Sequence, residues 1–379
     1  MKNAIIFLTV LFAFCNLSAQ HQVYQNFSLQ DQEKETIAQL INEYINGEIK
    51  PEQVFVDYDI KTFKSIDVAK EALSLGGSLY NITFDANILS IKKEGDNYMV
   101  EVMLYWHNPD TVSKSITVLG IMDFWVIKES SKWKISNYLN YYSRQWSTTT
   151  VGNFKFIYFP EFPFDNHEAR KAVDFYKGLN DFFGITQTEF LTYYIAQNCD
   201  DISKLSGFEY FISEGNNSNL CAFYDEKNSI IYTSPSEGET HLHEIIHTIN
   251  KHFPTCNTML KIGLSCYINN AGSRGNDIMY HVKRFIDYAE TNNVDFENFE
   301  NLENVDEYTN IAYVIGPTLC NAIYRKGGKE LLLDFMNNTK DMNDFKAKLK
   351  KEFKIKDFKT FFKQEMSICL KQGKSLINI

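Results

Sequence analysis

The most constraining feature of this sequence is the pentapeptide HEIIH at residues 243–247. Its two histidines are four residues apart, so a helix places both imidazoles on the same face, one turn apart. Apolar residues recur at helical spacing on another face, which predicts one amphipathic helix over residues 239–251. This apolar stripe consists of Leu242, Ile245, Ile246 and Ile249.

The polar side chains of the pentapeptide have the composition of a metal site. Two imidazole nitrogens one turn apart can bind a single zinc ion at the usual distance of about 2.0–2.1 Å. The carboxylate of Glu244 then reaches a water in the open coordination position and can take its proton. We therefore assign His243 and His247 as candidate zinc ligands and Glu244 as the candidate catalytic base, and we expect no other cofactor.

The overall charge of the chain restricts its partners. The formal net charge is −10, from 38 basic and 48 acidic residues. Such a surface repels phosphate backbones and anionic lipids, and no stripe of lysine or arginine offsets this repulsion. We therefore expect neither a nucleic-acid partner nor peripheral membrane binding.

The first twenty residues have the pattern of a secretory signal peptide. Lys2 precedes an apolar run at residues 4–14 that is too short to span a bilayer, and Ala19 is a small residue before a cut at Gln20. Cys15 raises a lipoprotein alternative, but Phe14 is bulky where a lipidation site requires a small residue. The sequence thus predicts an exported protein, periplasmic or secreted, without an integral membrane segment after signal removal.

The cysteine count fits export without fixing any pairing. Of the seven cysteines, Cys15 lies within the predicted signal, which leaves an even number in the mature chain. Disulfides form in oxidising compartments, but buried cysteines also serve as small apolar side chains. Both interpretations remain open from the sequence.

Residues 21–150 form the first predicted domain. Apolar spacing predicts a helix over 31–48, and alternating patterns then predict strands over 86–93, 98–106, 115–128 and 133–139. This order indicates an α+β roll, in which a helix packs on a curved antiparallel sheet. The pattern resembles the nuclear transport factor two-like (cystatin-like) domains, which implies a ligand-binding or spacer role. The polar segment 145–152 is interpreted as the joint to the next domain.

Residues 151–379 form the second predicted domain. Its pattern predicts a strand over 154–159, a helix over 167–183, a strand over 189–196 and a hairpin of 222–225 with 229–233. From residue 239 onward the chain is predicted to be mostly helical. The predicted fold is therefore α+β again, with a small mixed sheet and a helical C-terminal half.

This second domain resembles the gluzincin-type, peptidase MA-like metallopeptidases. The resemblance rests on HEIIH, the preceding hairpin AFYDEKNSIIYT, the segment MLKIGLSCY at 259–267 and the segment YTNIAYVIGPTLCNAIYR at 308–325. It implies a zincin fold, zinc-dependent hydrolysis and a peptide or protein substrate. It also implies that a downstream tyrosine, either Tyr308 or Tyr313, stabilises an anionic intermediate. We take Tyr313 as the candidate.

One position departs from the family pattern. The glutamate that supplies the third zinc ligand in these enzymes corresponds to Ile262, and an isoleucine cannot bind a cation. Three alternatives follow: the site recruits another ligand, it binds zinc weakly through two histidines, or it belongs to a catalytically inactive peptidase-like binding protein. The candidate replacement ligands are Asp277, His281, Cys256, His241 and an acidic residue of the stretch 295–307, which we otherwise expect to be a solvated loop.

We predict that the mature protein begins at Gln20 or His21 and carries no lipid. The apolar run of the signal and the small residue at Ala19 together define the cut. N-terminal sequencing and intact mass of the exported protein measure this directly. A modified Cys15 as the first residue is the contradicting result.

Overall fold

The computed structural model describes residues 23–25, 31–64, 85–107, 116–186, 189–211, 221–269, 277–302, 305–306, 309–339, 341–373, 375–377 and 379. The predicted signal peptide, Cys15 and Tyr308 lie outside these described residues. Among the residues described, no helix is both long enough and apolar enough to cross a membrane. The chain contains helices together with antiparallel and mixed sheets, as the predicted α+β class requires.

The elements follow the chain in this order. The strands are β1 (Val23–Gln25), β2 (Asp85–Glu94), β3 (Asn97–His107), β4 (Ile116–Glu129), β5 (Lys132–Ser136), β6 (Ser147–Val151), β7 (Phe154–Tyr158), β8 (Leu191–Ile195), β9 (Phe208–Phe211), β10 (Ala222–Asp225) and β11 (Ile230–Thr233). The α-helices are α1 (Gln32–Ile45), α2 (Pro51–Val54), α3 (Asp57–Thr62), α4 (Tyr138–Tyr142), α5 (Asn166–Phe183), α6 (Cys199–Leu205), α7 (Leu242–His247), α8 (Thr258–Asn269), α9 (Ile278–Thr291), α10 (Ala312–Asn337), α11 (Met342–Phe353) and α12 (Phe358–Gln372).

The described residues divide into two compact units. The division falls between Tyr141 and Tyr142 rather than at the predicted residue 150, and β9 belongs with the first unit. The segment 147–151, interpreted from the sequence as part of the joint, is strand β6 of the second unit. Its consecutive threonines are polar, but they are β-branched and therefore suit an edge strand as well as a loop.

The first unit is a helix packed on a largely antiparallel sheet. Its strand order is β1-β2-β3-β4-β5, with β9 also pairing with β4, and only the β1–β2 pair is parallel. Asp31 caps α1, and Ile37, Ile41 and Tyr44 contribute its buried face to the core. The predicted helix and both hairpins are confirmed. The strand predicted over 133–139 is too long, because β5 ends at Ser136 and the chain turns into α4.

The second unit contains a mixed sheet of order β10-β11-β8-β7-β6. The pairs β7–β8 and β8–β11 are parallel, and the outer pairs on both sides are antiparallel. Helix α5 connects the parallel strands β7 and β8, begins at the Asp165 cap and ends at Gly184, whose φ is 71°. A glycine at this left-handed position ends helices without steric cost. These elements confirm the predicted strand, helix and hairpin.

The helix that carries the pentapeptide is shorter than predicted. Helix α7 spans only Leu242–His247 and is flanked by 3-10 turns at Gly238–Thr240 and Asn250–His252. After His247 the backbone hydrogen bonds change to the three-residue spacing of a 3-10 helix, and the Thr248 N–H donates to Ile245 O. The Thr248 hydroxyl donates to the same carbonyl at 2.6 Å. A side chain that takes this acceptor competes with continuation of the α-helix.

Two helices of the second unit cross with their backbones in direct contact. A Cβ added at Gly263 of α8 would lie 2.2 Å from the carbonyl carbon of Gly316 in α10. Only glycine permits such an approach between helix backbones. The crossing brings together the helix that follows the pentapeptide and the helix that carries Tyr313.

The acidic stretch 295–307 is not a simple solvated loop. Its described part forms a 3-10 turn, Phe296–Asn301, and the aromatic rings of Phe296 and Phe299 are buried in the core of the second unit. The intervening glutamates are held by lysines, with Glu297 on Lys350 and Glu300 on Lys346. The prediction of a solvated loop is therefore confirmed for the exposed Asp295 and Glu297 but wrong for the two aromatic residues, which anchor the turn.

We predict that Gly263→Ala lowers the free energy of unfolding by about 3 kcal/mol or more, since the new methyl meets backbone atoms that cannot rotate away. Gly178→Ala in α5 is the matched control, because its Cβ meets only the side chain of Ile379 at 2.9 Å. The control should be neutral or stabilising, since alanine favours a helix over glycine by about 1 kcal/mol. Urea denaturation of both variants measures the difference, and equal effects would contradict the crossing.

Candidate metal centre

The structure brings the polar side chains of the pentapeptide together. One ligand atom each from His243, Glu244 and His247 lies within 4.8 Å of the other two. The two imidazole rings meet edge to face, with centroids 4.8 Å apart. Nitrogens bound to one zinc ion are separated by at most about 4.2 Å, twice the zinc–nitrogen distance. The two imidazoles are therefore close enough to be candidate ligands of one ion.

Burial controls the protonation of these groups. Burial raises the pKa of Glu244 from 4.5 to about 8, and the Tyr224 backbone N–H, which donates to its carboxylate, acts in the opposite direction. Burial lowers the pKa of His243 to about 4 and the pKa of His247 to about 3. Both imidazoles are therefore neutral at pH 7, which is the form that binds a metal ion.

Each histidine contacts a polar side chain that the sequence analysis did not single out. His243 Nε2 lies 3.3 Å from Ser265 Oγ of α8, and Ser265 is fully buried. The Ser265 hydroxyl donates to the carbonyl oxygen of Ile262 at 2.8 Å, so its lone pairs are available to the ring. His247 Nδ1 lies 2.9 Å from Asn250 Nδ2. A sequence signal existed for Asn250, which is three residues after His247 and therefore on the same side of a helical turn.

Tyr313 lies beside His243. Its ring centroid is 6.3 Å from that of His243, and the two rings are nearly perpendicular. Burial, followed by the nearby Cys266 thiol and the Glu244 carboxylate, raises the pKa of Tyr313 to about 12. The hydroxyl therefore keeps its proton at neutral pH and can donate a hydrogen bond.

No replacement third ligand is found among the candidates with described positions. Ile262 lies one turn before Ser265 on α8, so an apolar residue shares the face of this helix that approaches His243. None of the proposed replacements joins the cluster of His243, Glu244 and His247 within the described part of the chain. Their side chains have other contacts.

The replacement candidates are accounted for one by one. His281 is fully buried and its Nδ1 contacts Thr309 Oγ1 at 3.1 Å. Asp277 caps α9 by accepting from the Tyr280 N–H. Cys256 is a buried free thiol. In the acidic stretch, the described carboxylates serve as caps or ion-pair partners: Asp295, Glu297, Glu300 and Asp306.

His241 differs from its predicted environment. Its position near the start of the helix favours an exposed residue over a replacement ligand, but its side chain is only 13% exposed. Its Nδ1 contacts Thr233 Oγ1 at 3.1 Å, and its ring centroid lies 6.3 Å from that of His243. The His241 backbone N–H donates to the Tyr193 hydroxyl at 3.0 Å, which fixes the start of α7 to the sheet.

The donor atoms of the cluster suit zinc, but they supply one protein ligand fewer than a catalytic zinc site usually has. Neutral imidazoles are zinc ligands, and a carboxylate beside them suits a proton acceptor in the outer shell. Catalytic zinc sites usually have three protein ligands and one open position. Here the described cluster offers two imidazoles, and Ile262, the residue expected in place of a third ligand, is apolar. The residues therefore fit a zinc ion that is held less tightly than in a complete site.

Comparison with known proteins does not assign this chain. No protein-family model matches the sequence, and no curated protein matches it.

We predict that Glu244→Gln stabilises the metal-free protein increasingly as the pH rises from 5 to 8. The Glu244 pKa is raised from 4.5 to about 8 in the folded protein. Its stabilising contribution is therefore complete below pH 4.5 and is lost as the pH rises towards 8. Glutamine does not titrate, so the variant escapes this loss.

Chemical denaturation with a chelator at pH 5, 6.5 and 8 measures this difference. Glu226→Gln, at an exposed position of the β10–β11 turn, is the control and should show no such trend. The histidine contributions are shared by the wild type and the variants, so they cancel. A difference between Glu244→Gln and wild type that is independent of pH would contradict a buried carboxyl with a raised pKa.

Proposed function

We propose that this chain is an exported zinc-dependent hydrolase of the gluzincin-like type, acting on peptide bonds. The observation that carries the proposal is the cluster of a buried Glu244 and two half-buried histidines, His243 and His247, with a protonated tyrosine, Tyr313, beside it. His243 and His247 are the proposed ligands. Glu244 is the proposed base, and Tyr313 the proposed hydrogen-bond donor.

The chemistry divides between the metal and the side chains. A bound zinc ion supplies positive charge, which acidifies water, polarises a carbonyl and favours the carboxylate form of Glu244. Glu244, oriented by the Tyr224 N–H, takes a proton from the attacking water and returns it to the leaving amine. Tyr313 donates a hydrogen bond to the oxygen that becomes negative during the attack.

The neighbouring strand supports a peptide substrate. Strand β10 lies at one end of the second sheet, and within the described chain it pairs only with β11. Its Tyr224 N–H reaches the Glu244 carboxylate, so this end of the sheet lies beside the proposed site. An extended peptide can add to such an edge through main-chain hydrogen bonds, which places a scissile bond near the cluster.

The arrangement of the second unit also supports a zincin-like fold. A mixed sheet with an antiparallel edge strand precedes the pentapeptide helix, and mostly helical structure follows it. The disulfide between Cys199 and Cys221 supports export, because disulfides persist in oxidising compartments. For the first unit, whose helix packs on an antiparallel sheet, we propose a nuclear transport factor two-like roll that binds a ligand or acts as a spacer.

A second candidate function follows from Ile262. A peptidase-like protein without the third ligand can lose its metal and retain only peptide binding. The intact Glu244 favours the enzyme, since a binding protein has no use for a buried carboxyl that is costly to ionise. Zinc binding and hydrolysis are therefore measured separately.

We predict that the wild type binds zinc weakly and that Ile262→Glu tightens binding by about two orders of magnitude, because a carboxylate adds both a bond and charge compensation. His247→Ala should abolish binding. Lys261→Glu places a carboxylate at the adjacent position of α8, which faces another direction, and is the control for added negative charge. It lowers the net charge by two, where Ile262→Glu lowers it by one. Calorimetric titration of the chelator-treated proteins gives the affinities.

Hydrolysis of unstructured peptides by the zinc-loaded proteins completes the test. Glu244→Gln should bind zinc more weakly than wild type, because it lacks the countercharge, and at saturating zinc it should lose about 10²–10⁴ in rate. Zinc binding without hydrolysis, in wild type and Ile262→Glu alike, would favour the binding protein. Absence of zinc binding in all variants would refute the metal site.

A further inference from the structure

The side-chain amide of Asn250 contacts the imidazole ring of His247. Its Nδ2 lies 2.9 Å from His247 Nδ1, and its Oδ1 is buried and has no hydrogen-bond partner among the described residues. Asn250 opens the 3-10 turn that follows α7, so the backbone holds it next to the ring. A 180° turn of the amide about its last side-chain bond, which exchanges Oδ1 and Nδ2, therefore breaks no hydrogen bond of the oxygen.

The two orientations of the amide have different consequences for His247. If Nδ2 faces the ring, Nδ1 must accept, and the proton of a neutral imidazole sits on Nε2. If Oδ1 faces the ring, Nδ1 carries the proton and Nε2 has a free lone pair. The oxygen and nitrogen of an amide occupy nearly the same space, so packing fixes the contact without fixing the orientation.

We propose that Asn250 is a positioning residue that accepts a hydrogen bond from His247 Nδ1–H through its Oδ1, and thereby presents Nε2 to the cluster. Ligand histidines in metal sites usually donate their second ring N–H to an oxygen acceptor. Asn250 is the polar side chain that the structure places on Nδ1. The role of Asn250 in metal binding rests on the proposed function. The position of the ring proton of His247, however, can be measured without metal.

Three proteins separate the two orientations: wild type, Asn250→Asp and Asn250→Leu. Aspartate can only accept, so it reproduces the proposed contact and excludes the opposite one. Leucine has a similar volume and makes neither. Nitrogen-15 NMR of the metal-free proteins at pH 7.5 reports which ring nitrogen of His247 is protonated, with assignment by the His247→Ala spectrum.

We expect an Nδ1–H tautomer in wild type and in Asn250→Asp, and loss of this preference in Asn250→Leu. Zinc affinity should follow the same order: Asn250→Leu should lose about 10–100-fold, and Asn250→Asp should match or exceed wild type. A merely structural role would lower the stability of both variants without moving the tautomer.

The contradicting result is an Nε2–H tautomer in metal-free wild type, or zinc affinity in Asn250→Asp as low as in Asn250→Leu. If no protein binds zinc, the proposed function fails, and the tautomer alone still decides the role of Asn250. An Nδ1–H signal that disappears in Asn250→Leu would then support the positioning role. An Nε2–H signal would overturn it.

Discussion

The site of the second unit depends on a helix of only six residues that carries one buried carboxyl group, Glu244, between two half-buried histidines. Glu244 is 7% exposed, and an isolated charge at such a position costs several kcal/mol. The fold meets this cost by keeping the imidazoles neutral and by giving the polar groups partners in the Tyr224 N–H, Ser265 and Asn250. A helix this short has little stability of its own, so the apolar core behind it holds the cluster in place.

The geometry around that cluster is set by backbone contact rather than by side chains. Gly263 and Gly316 allow α8 and α10 to cross without an intervening Cβ. Ser265 follows one of these glycines by two residues, and Tyr313 precedes the other by three. Both side chains therefore reach His243 from helices whose separation is at its minimum. A wider crossing would move the hydroxyl groups away from the imidazole.

The sequence predicted features that depend on neighbouring residues and missed those that depend on contacts between distant parts of the chain. The spacing of the pentapeptide and its apolar stripe predicted the helix and its buried side, because helical period alone decides which residues face a core. It did not predict the end of the helix, since Ile249 continues the stripe while Thr248 bonds to Ile245 O. Ser265 was missed because its contact with His243 spans 22 residues and appears only after α8 packs.

The replacement of the third ligand by Ile262 alters the charge balance of the proposed site. Among the described residues, Glu244 is the one carboxylate in the cluster, so it is both the proposed base and the countercharge for a divalent ion. If Glu244 kept its proton, two positive charges would be buried without compensation, which is unfavourable. In the proposed site, metal binding would therefore be coupled to ionisation of Glu244. A site with a carboxylate ligand divides these two tasks between separate residues, whereas here one side chain performs both.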